Sequence, residues 1–188
     1  DFKILDYLTL VDTFGVNPKY RAGDDTYFFS GDGGVYIIDG GGVDTISAAG
    51  QLGDTFIDLR YNSHSYLGSK YPYISQKYQM TISNYSDIEN VYTGFGNDHV
   101  IGNHLDNIIN TGPGENIIYP GEGKDVIQIQ SGTNTINLWE EQQSNDYLIF
   151  DMANDGHFTQ VLNFQTDGVC DVIVLDNTAF DKISLSPL

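Results

Sequence analysis

The chain has one cysteine and only eight basic residues against 26 acidic ones among its 188 residues. The lone Cys170 excludes an internal disulfide. Its setting in VCDVIVL predicts a buried small hydrophobe. A net charge of −18 argues against nucleic acid, whose binding rests on Lys and Arg neutralising phosphates, and equally against an anionic membrane surface. No apolar run approaches the roughly 18 residues that suggest a membrane span. The opening DFKILDYLTL has neither a basic region nor a cleavage site, so it does not read as a secretory leader, and both ends read as cut from a longer chain. Catalytic constellations are missing as well. None of His64, His99, His104 and His157 has the H-E-x-x-H spacing of a zinc peptidase. There is no G-x-S-x-G, and Cys170 has no histidine partner nearby in sequence. The Gly-rich turns run into strands rather than helices, which leaves no phosphate cradle. The expectation is a chain that is not an enzyme.

What is abundant is glycine, asparagine and aspartate at a fixed period. Residues 93–137 read TGFGNDHVI, GNHLDNIIN, TGPGENIIY, PGEGKDVIQ and IQSGTNTIN, five nine-residue units in unbroken register. The sixth position holds Asp98, Asn107, Asn116, Asp125 and Asn134; the eighth holds Val100, Ile109, Ile118, Ile127 and Ile136. The fourth is glycine except for Leu105. The apolar residue belongs to a short strand and faces a core. The G-x-G-x-D portion is a bend, where glycine supplies φ > 0 and leaves room for close approach. Such a bend gathers carbonyls and a side-chain oxygen, the hard ligands that Ca2+ takes six to eight at a time. Two units make one coil, so Asp98, Asn116 and Asn134 line one side, and Asn107 and Asp125, with Asp106 beside them, the other. The rival account is a metal-free solenoid in which Gly, Asn and Asp only make turns; turn chemistry alone does not require Asp or Asn five times in one column.

The expected organisation is a single all-β domain over 1–188, a parallel β-roll or β-helix with a long non-repeat insertion and capping strands. Residues 1–20, with Phe2, Ile4, Tyr7, Leu8, Leu10 and Val11, form an N-terminal cap of a strand or a strand and short helix. A first repeat run occupies 21–47, with Gly23 and Asp25, then Gly33 and Ile37, then Gly42, Asp44 and Ile46. Val35 stands where a ligand should be, so that turn either lacks an ion or uses Asp32; Asp39 is a neighbouring contributor. Residues 48–90 break the period. AGQLGDTFIDLRY reads as one strand and KYQMTISNYSDIENVY as another. Between them Tyr61, His64, Tyr66, Tyr71, Tyr73 and Tyr78 punctuate a stretch rich in Ser, Gly and Asn, the composition of binding loops. Its rival is an ordinary long hairpin packed on the flank of the roll. A second repeat run covers 91–137. Residues 138–188 read as C-terminal capping strands, with Trp139 and Phe150 covering the last coil. Asp151, Asn154, Asp155, Asp167, Asp171 and Asp176 read as a solvated acidic face.

The pattern G-G-x-G-x-D-x-U-x resembles the calcium-binding repeat of RTX proteins. DGGGVDTISAAG, an insertion, and then SDIENVYTGFGNDHVIGNHLDNIINTG are similar in order to the C-terminal RTX domain of serralysin-type peptidases, without the peptidase domain. The resemblance implies several Ca2+ ions. It implies ligands at Gly94, Gly96, Asp98, Asp106, Asn107, Gly112, Gly114, Asn116, Gly121, Gly123, Asp125 and Asn134, and at Asp25, Gly40, Gly42 and Asp44. Where Asn107, Asn116 and Asn134 replace aspartate, a neutral amide lowers affinity. Modules of this kind also occur in giant RTX adhesins of Gram-negative bacteria. The resemblance therefore implies an extracellular, calcium-dependent module that binds a peptide or protein ligand on a host or neighbouring cell, with a glycan as the other ligand class. Such a module is part of a longer chain and monomeric in isolation, with no nucleic acid and no membrane insertion. The alternative is a non-catalytic secretion and folding domain of a serralysin-like metallopeptidase. A third possibility is an enzyme on polysaccharide, for which no acid cluster in a groove is visible in the sequence.

Overall fold

Each nine-residue unit yields one short strand, because its β-branched residues suit a pleated surface and its glycines end the strand. The computed structural model describes residues 9–11, 13–150 and 158–175. In chain order its strands are β1 (Thr26–Phe28), β2 (Val35–Ile37), β3 (Thr45–Ser47), β4 (Thr55–Asp58), β5 (His64–Leu67), β6 (Gln79–Ile82) and β7 (Asn90–Tyr92). There follow β8 (His99–Ile101), β9 (Ile108–Thr111), β10 (Gly114–Tyr119), β11 (Val126–Ile129), β12 (Gly132–Asn137), β13 (Tyr147–Phe150), β14 (Phe158–Leu162) and β15 (Val172–Leu175). They form two facing sheets. Sheet A has the order β1-β3-β7-β9-β11-β13-β15, and sheet B β14-β12-β10-β8-β4-β5-β6-β2. The chain alternates between the sheets, and successive coils stack in parallel: Val126 pairs with Ile108, and Ile117 with His99. This is the expected parallel β-roll.

The core is two files of aliphatic side chains pressed together. In sheet A, Tyr27, Ile46, Val91, Ile109, Ile127 and Leu148 sit on successive strands; in sheet B, Ile57, Val100, Ile118 and Ile136 do. From Ile46 onward every one of these is fully buried. Leu105, the residue at a glycine position, needs no left-handed backbone. Its turn closes on an amide pair, with Asn107 Nδ2 donating to Asn103 Oδ1 at 3.1 Å and Asn103 N–H to Asn107 Oδ1 at 3.0 Å. Elsewhere the stacking forbids a side chain. A Cβ on Gly114 (φ 150°) would lie 1.7 Å from the Gly96 carbonyl oxygen.

Several expectations change. The insertion is neither only a loop nor a hairpin packed on the flank of the roll. It supplies β5, antiparallel to both β4 and β6, while β6 pairs with β2, so it widens sheet B from within. The stretch 77–92 makes two strands, β6 and β7, in different sheets. The strands after 138 do cap the roll, but as further parallel rungs of it: β13 stacks on β11, β14 on β12 and β15 on β13. Phe150 is buried as expected, whereas Trp139 is 67% exposed. Cys170 is half-buried in the turn before β15, its thiol donating to the Thr166 carbonyl at 3.2 Å. Of the N-terminal cap, Phe2, Ile4, Tyr7 and Leu8 lie outside the described residues; residues 9–11 and 13–14 are helical, with Val11 buried and Leu10 exposed. No helix among the described residues is long and apolar enough to cross a membrane.

Because the core is one side chain thick per strand, a deletion cannot be absorbed by repacking. Ile118→Ala should cost about 2–5 kcal/mol in urea unfolding at fixed divalent-cation concentration. Its outward neighbour Ile117, replaced in the same way, should cost less than about 1 kcal/mol.

Candidate metal centres

The turns between strands stack into two columns, one on each side of the roll. On one side the chain passes from sheet A to sheet B, and the sixth residues are Asp98, Asn116 and Asn134. The Thr55 N–H donates to Asp98 Oδ1 at 2.8 Å, and the Asp98 N–H to Asn116 Oδ1 at 2.9 Å. On the other side the column is longer than the repeats suggest: Asp25, Asp44, Glu89, Asn107, Asp125, Asp146 and Asp171. Backbone N–H donors link it rung by rung. Asp25 donates to Asp44, Asp44 to Glu89, Asn107 to Asp125, Asp125 to Asp146 and Asp146 to Asp171, at 2.7–3.1 Å. Glu89, Asp146 and Asp171 were not singled out as ligands from the sequence, because the coils carrying them are not nine-residue repeats. Asp171, read there as part of a solvated face, is buried; Asp151, Asn154, Asp155 and Asp176 lie outside the described residues.

The aspartate rungs and the asparagine rungs behave differently. In Asp44, Asp98, Asp125 and Asp146 one oxygen accepts a backbone N–H, and the other, Oδ2, is buried without any partner. All four residues are at most 1% exposed. A buried carboxylate oxygen left unpaired is costly. The asparagine rungs carry no such orphan. The Asn116 amide donates to the Gly112 carbonyl at 3.0 Å and to Asn134 Oδ1 at 2.9 Å, and Asn107 is spent on Asn103. In these turns an amide N–H does the work that a cation does between oxygens. The aspartate rungs therefore fit a hard divalent cation, and the asparagine rungs satisfy themselves.

A third grouping stands at the first coils. Ligand-type oxygens of Asp25, Asp39 and Asp44 all lie within 4.8 Å of one another. Asp39 is fully buried, accepting from the Gly41 N–H at 2.8 Å and from the Tyr27 hydroxyl. Arg21 pairs with Asp25 at 3.2 Å. The turn with Val35 is covered instead. Asp32 is exposed there, and the backbone of residues 74–76 packs on Gly33 and Gly34. The remaining glycines assigned from the sequence sit at the bends. Gly42, Gly96, Gly114, Gly121 and Gly123 have left-handed φ, and Gly40, Gly94 and Gly112 abut a neighbouring coil's carbonyls. Asp106 is exposed, its Oδ1 accepting the Lys124 N–H at 2.8 Å.

Electrostatics follow from the stacking. Burial raises Asp44 to about 7, with the charges of Asp39 and Glu89 adding to it. Burial raises Asp125 to about 9 and Asp146 to about 7, with their neighbouring acids pushing the same way. Asp98 and Glu89 are also pushed up by burial. A bound divalent cation would supply positive charge that favours the ionised form of each.

The six residues of the insertion separate. Tyr66 stacks on Phe56 at 5.1 Å between ring centroids, and His64 lies 6.3 Å from Tyr66, on the outer face of sheet B. Tyr61 sits at the β4–β5 turn, beside Tyr85 and His104, with its hydroxyl donating to Asp87. Tyr71, Tyr73 and Tyr78 project from the β5–β6 loop; Tyr73 is 68% exposed. That loop rests on the first repeat run through the Tyr78 N–H to the Ser30 carbonyl, 2.7 Å.

No family model matches the chain. Over 123 residues, 58% of its length, it is 32% identical to "Serralysin" of Proteus mirabilis, of which it covers 23%. Over 118 residues, 55% of its length, it is 32% identical to "Metallopeptidase AprA" of Pseudomonas marginalis, of which it covers 24%. The chain thus spans about a quarter of the length of these curated relatives. These similarities and the parallel roll together support a serralysin-like RTX β-roll region.

Two measurements check the site. A group whose folded pKa is raised holds its proton more tightly folded than unfolded. Its contribution is present below the ordinary 3.8 and is lost as pH rises through the folded value. Without divalent cations the melting temperature should therefore fall between pH 4 and about 9, through the values of Asp44, Asp146 and Asp125. Saturating calcium should flatten that fall. Separately, Asn116→Asp should raise the ion stoichiometry seen by calorimetry, and Asp98→Asn should lower it.

Proposed function

We propose that this chain is a non-catalytic, calcium-loaded recognition module of an extracellular adhesin of a Gram-negative bacterium. It binds a peptide or protein on a host or neighbouring cell through the tyrosine loop at 68–78, as one monomeric unit of a longer protein. It takes no nucleic acid and inserts into no membrane. The observation that carries this reading is the seating of that loop. A Cβ on Gly34 would lie 1.2 Å from the Ile74 carbonyl oxygen, so loop and repeat turn touch backbone to backbone. Exposed Tyr71, Tyr73 and Tyr78 are then held on a rigid scaffold rather than on a free tether, which lowers the ordering cost of binding. Tyrosine supplies large contact area with few rotatable bonds. Calcium enters as the element that neutralises the turn carboxylates and so fixes the scaffold under the loop. Asp44, Asp98, Asp125 and Asp146 are the side chains that would hold it, with bend carbonyls completing the shell.

A second reading, a folding and secretion module of a metallopeptidase, is supported by the two relatives, one of which is named as a metallopeptidase. It gives the tyrosine loop no task. The readings part on ligand capture. On the adhesin reading, peptide or protein ligands from a display screen bind in millimolar calcium and are released by chelator. Gly34→Ala, which must push the loop off its turn, should weaken capture at least ten-fold while the far-UV spectrum in calcium stays that of the parent. A screen that recovers no ligand under calcium would favour the secretion module.

A further inference from the structure

A separate groove of about 690 Å³ opens on the outer face of sheet B, at the ends of β8, β10 and β12. Tyr61, His99, Ile101, His104, Tyr119 and Trp139 line it. Trp139, just beyond β12, is 67% exposed and Tyr119, on β10, is 41% exposed, where solvent-facing positions are ordinarily polar. The apolar surface runs on from the groove along the sheet: the centroids of Tyr119 and His99 are 5.6 Å apart, and those of His99 and Phe56 5.1 Å.

The polar groups of the wall are already committed. Arg60 is held by Asp58 at 2.7 Å and 2.9 Å. Both carboxylate oxygens of Glu122 accept backbone N–H groups, from Glu141 at 2.7 Å and Gln142 at 3.0 Å. Asn103 donates to the Ile88 carbonyl and accepts from the Leu105 N–H. The one guanidinium of the lining is thus neutralised by Asp58, and the one carboxylate, Glu122, is tied into the backbone of residues 141–142. Among the buried polar atoms of the lining, His99 Nε2 stands apart. It is buried without a partner, and a ring nitrogen can give or take one hydrogen bond.

These features restrict the occupant. An anion finds no unpaired cation and meets the Glu122 carboxylate, whose two oxygens are already engaged by backbone N–H groups. An extended peptide cannot add as a strand, because the backbone beneath belongs to the paired ladders β4·β8 and β8·β10·β12. What remains is an uncharged ligand with flat C–H faces for the rings and hydroxyls for the rim. We propose that the groove between Tyr61, Tyr119 and Trp139 binds a neutral oligosaccharide. The site is distinct from the 68–78 loop and goes beyond the protein-ligand reading above, so either can fail alone.

Trp139 is the chain's single tryptophan, so its emission reports on this groove directly. The calcium-loaded chain is titrated with neutral gluco- and manno-oligosaccharides, with uronic-acid and sialylated oligosaccharides, and with aromatic peptides. Neutral oligosaccharides should shift Trp139 emission saturably. By calorimetry, Trp139→Ala and Tyr119→Ala should weaken their binding at least ten-fold. Phe95→Ala, an exposed aromatic in a turn outside the groove, should leave it unchanged. Both groove residues are solvent-exposed, so the melting temperature of each variant should match the parent. The proposal is overturned if no neutral oligosaccharide moves the emission, if a charged glycan or a peptide is the tighter ligand, or if Phe95→Ala weakens binding as much as Trp139→Ala.

Discussion

The constraint on which the rest depends is repulsion between stacked carboxylates. A parallel roll places equivalent residues of successive coils about one strand spacing apart, about 4.8 Å. A side chain repeated in sequence thus becomes a column in space. On the longer side that column is Asp25, Asp44, Glu89, Asn107, Asp125, Asp146 and Asp171, six acids with one amide among them. In Asp44, Asp125 and Asp146 the backbone N–H of a neighbour satisfies only one carboxylate oxygen, and the second remains buried and unpaired, as it does in Asp98 on the other side. Among the described residues little offsets that: the chain has only eight basic residues, Arg21 reaches the column only at its end, Asp25, and Arg60 pairs with Asp58.

Seen this way, the asparagines are a different solution to the same geometry. Asn107 and Asn116 turn their N–H groups onto oxygens that aspartate would leave facing a cation. The chain thus mixes rungs that close on their own hydrogen bonds with rungs that require an added charge. On the calcium-loaded reading proposed above, folding would couple to divalent cation in proportion to the aspartate rungs, as in small domains whose metal sites supply folding free energy. The apolar files in the centre give shape. They are too thin to outweigh a column of ionised acids alone.

Much of this was legible in the sequence. The period of nine fixed the phase of strands and turns, and the eighth-position aliphatics were identified as the core. The alternation of Asp98 and Asn116 with Asn107 and Asp125 between two sides followed from two units per coil. What was not legible depended on register across longer coils. Asp146 stands 21 residues after Asp125, and Asp171 stands 25 after Asp146, so no fixed period announced them. The entry of β5 into sheet B could not be read from composition, since tyrosine-rich segments serve as loops and as strands alike. Trp139 is expected to cover the last coil because large rings are ordinarily buried, but it stands exposed with the rings of Tyr61, His104 and Tyr119 at one groove.

Sheet B carries the two candidate recognition surfaces, the loop seated on the first repeat run and the aromatic groove beside β8, and the acidic turns flank it. The most direct test of the central claim is a calcium titration of the metal-free chain at neutral pH, followed by far-UV circular dichroism. The account predicts a chain that is largely unfolded in chelator and gains β-signal cooperatively as calcium is added. A chain with its full β-signal and unchanged thermal stability in excess chelator would contradict it.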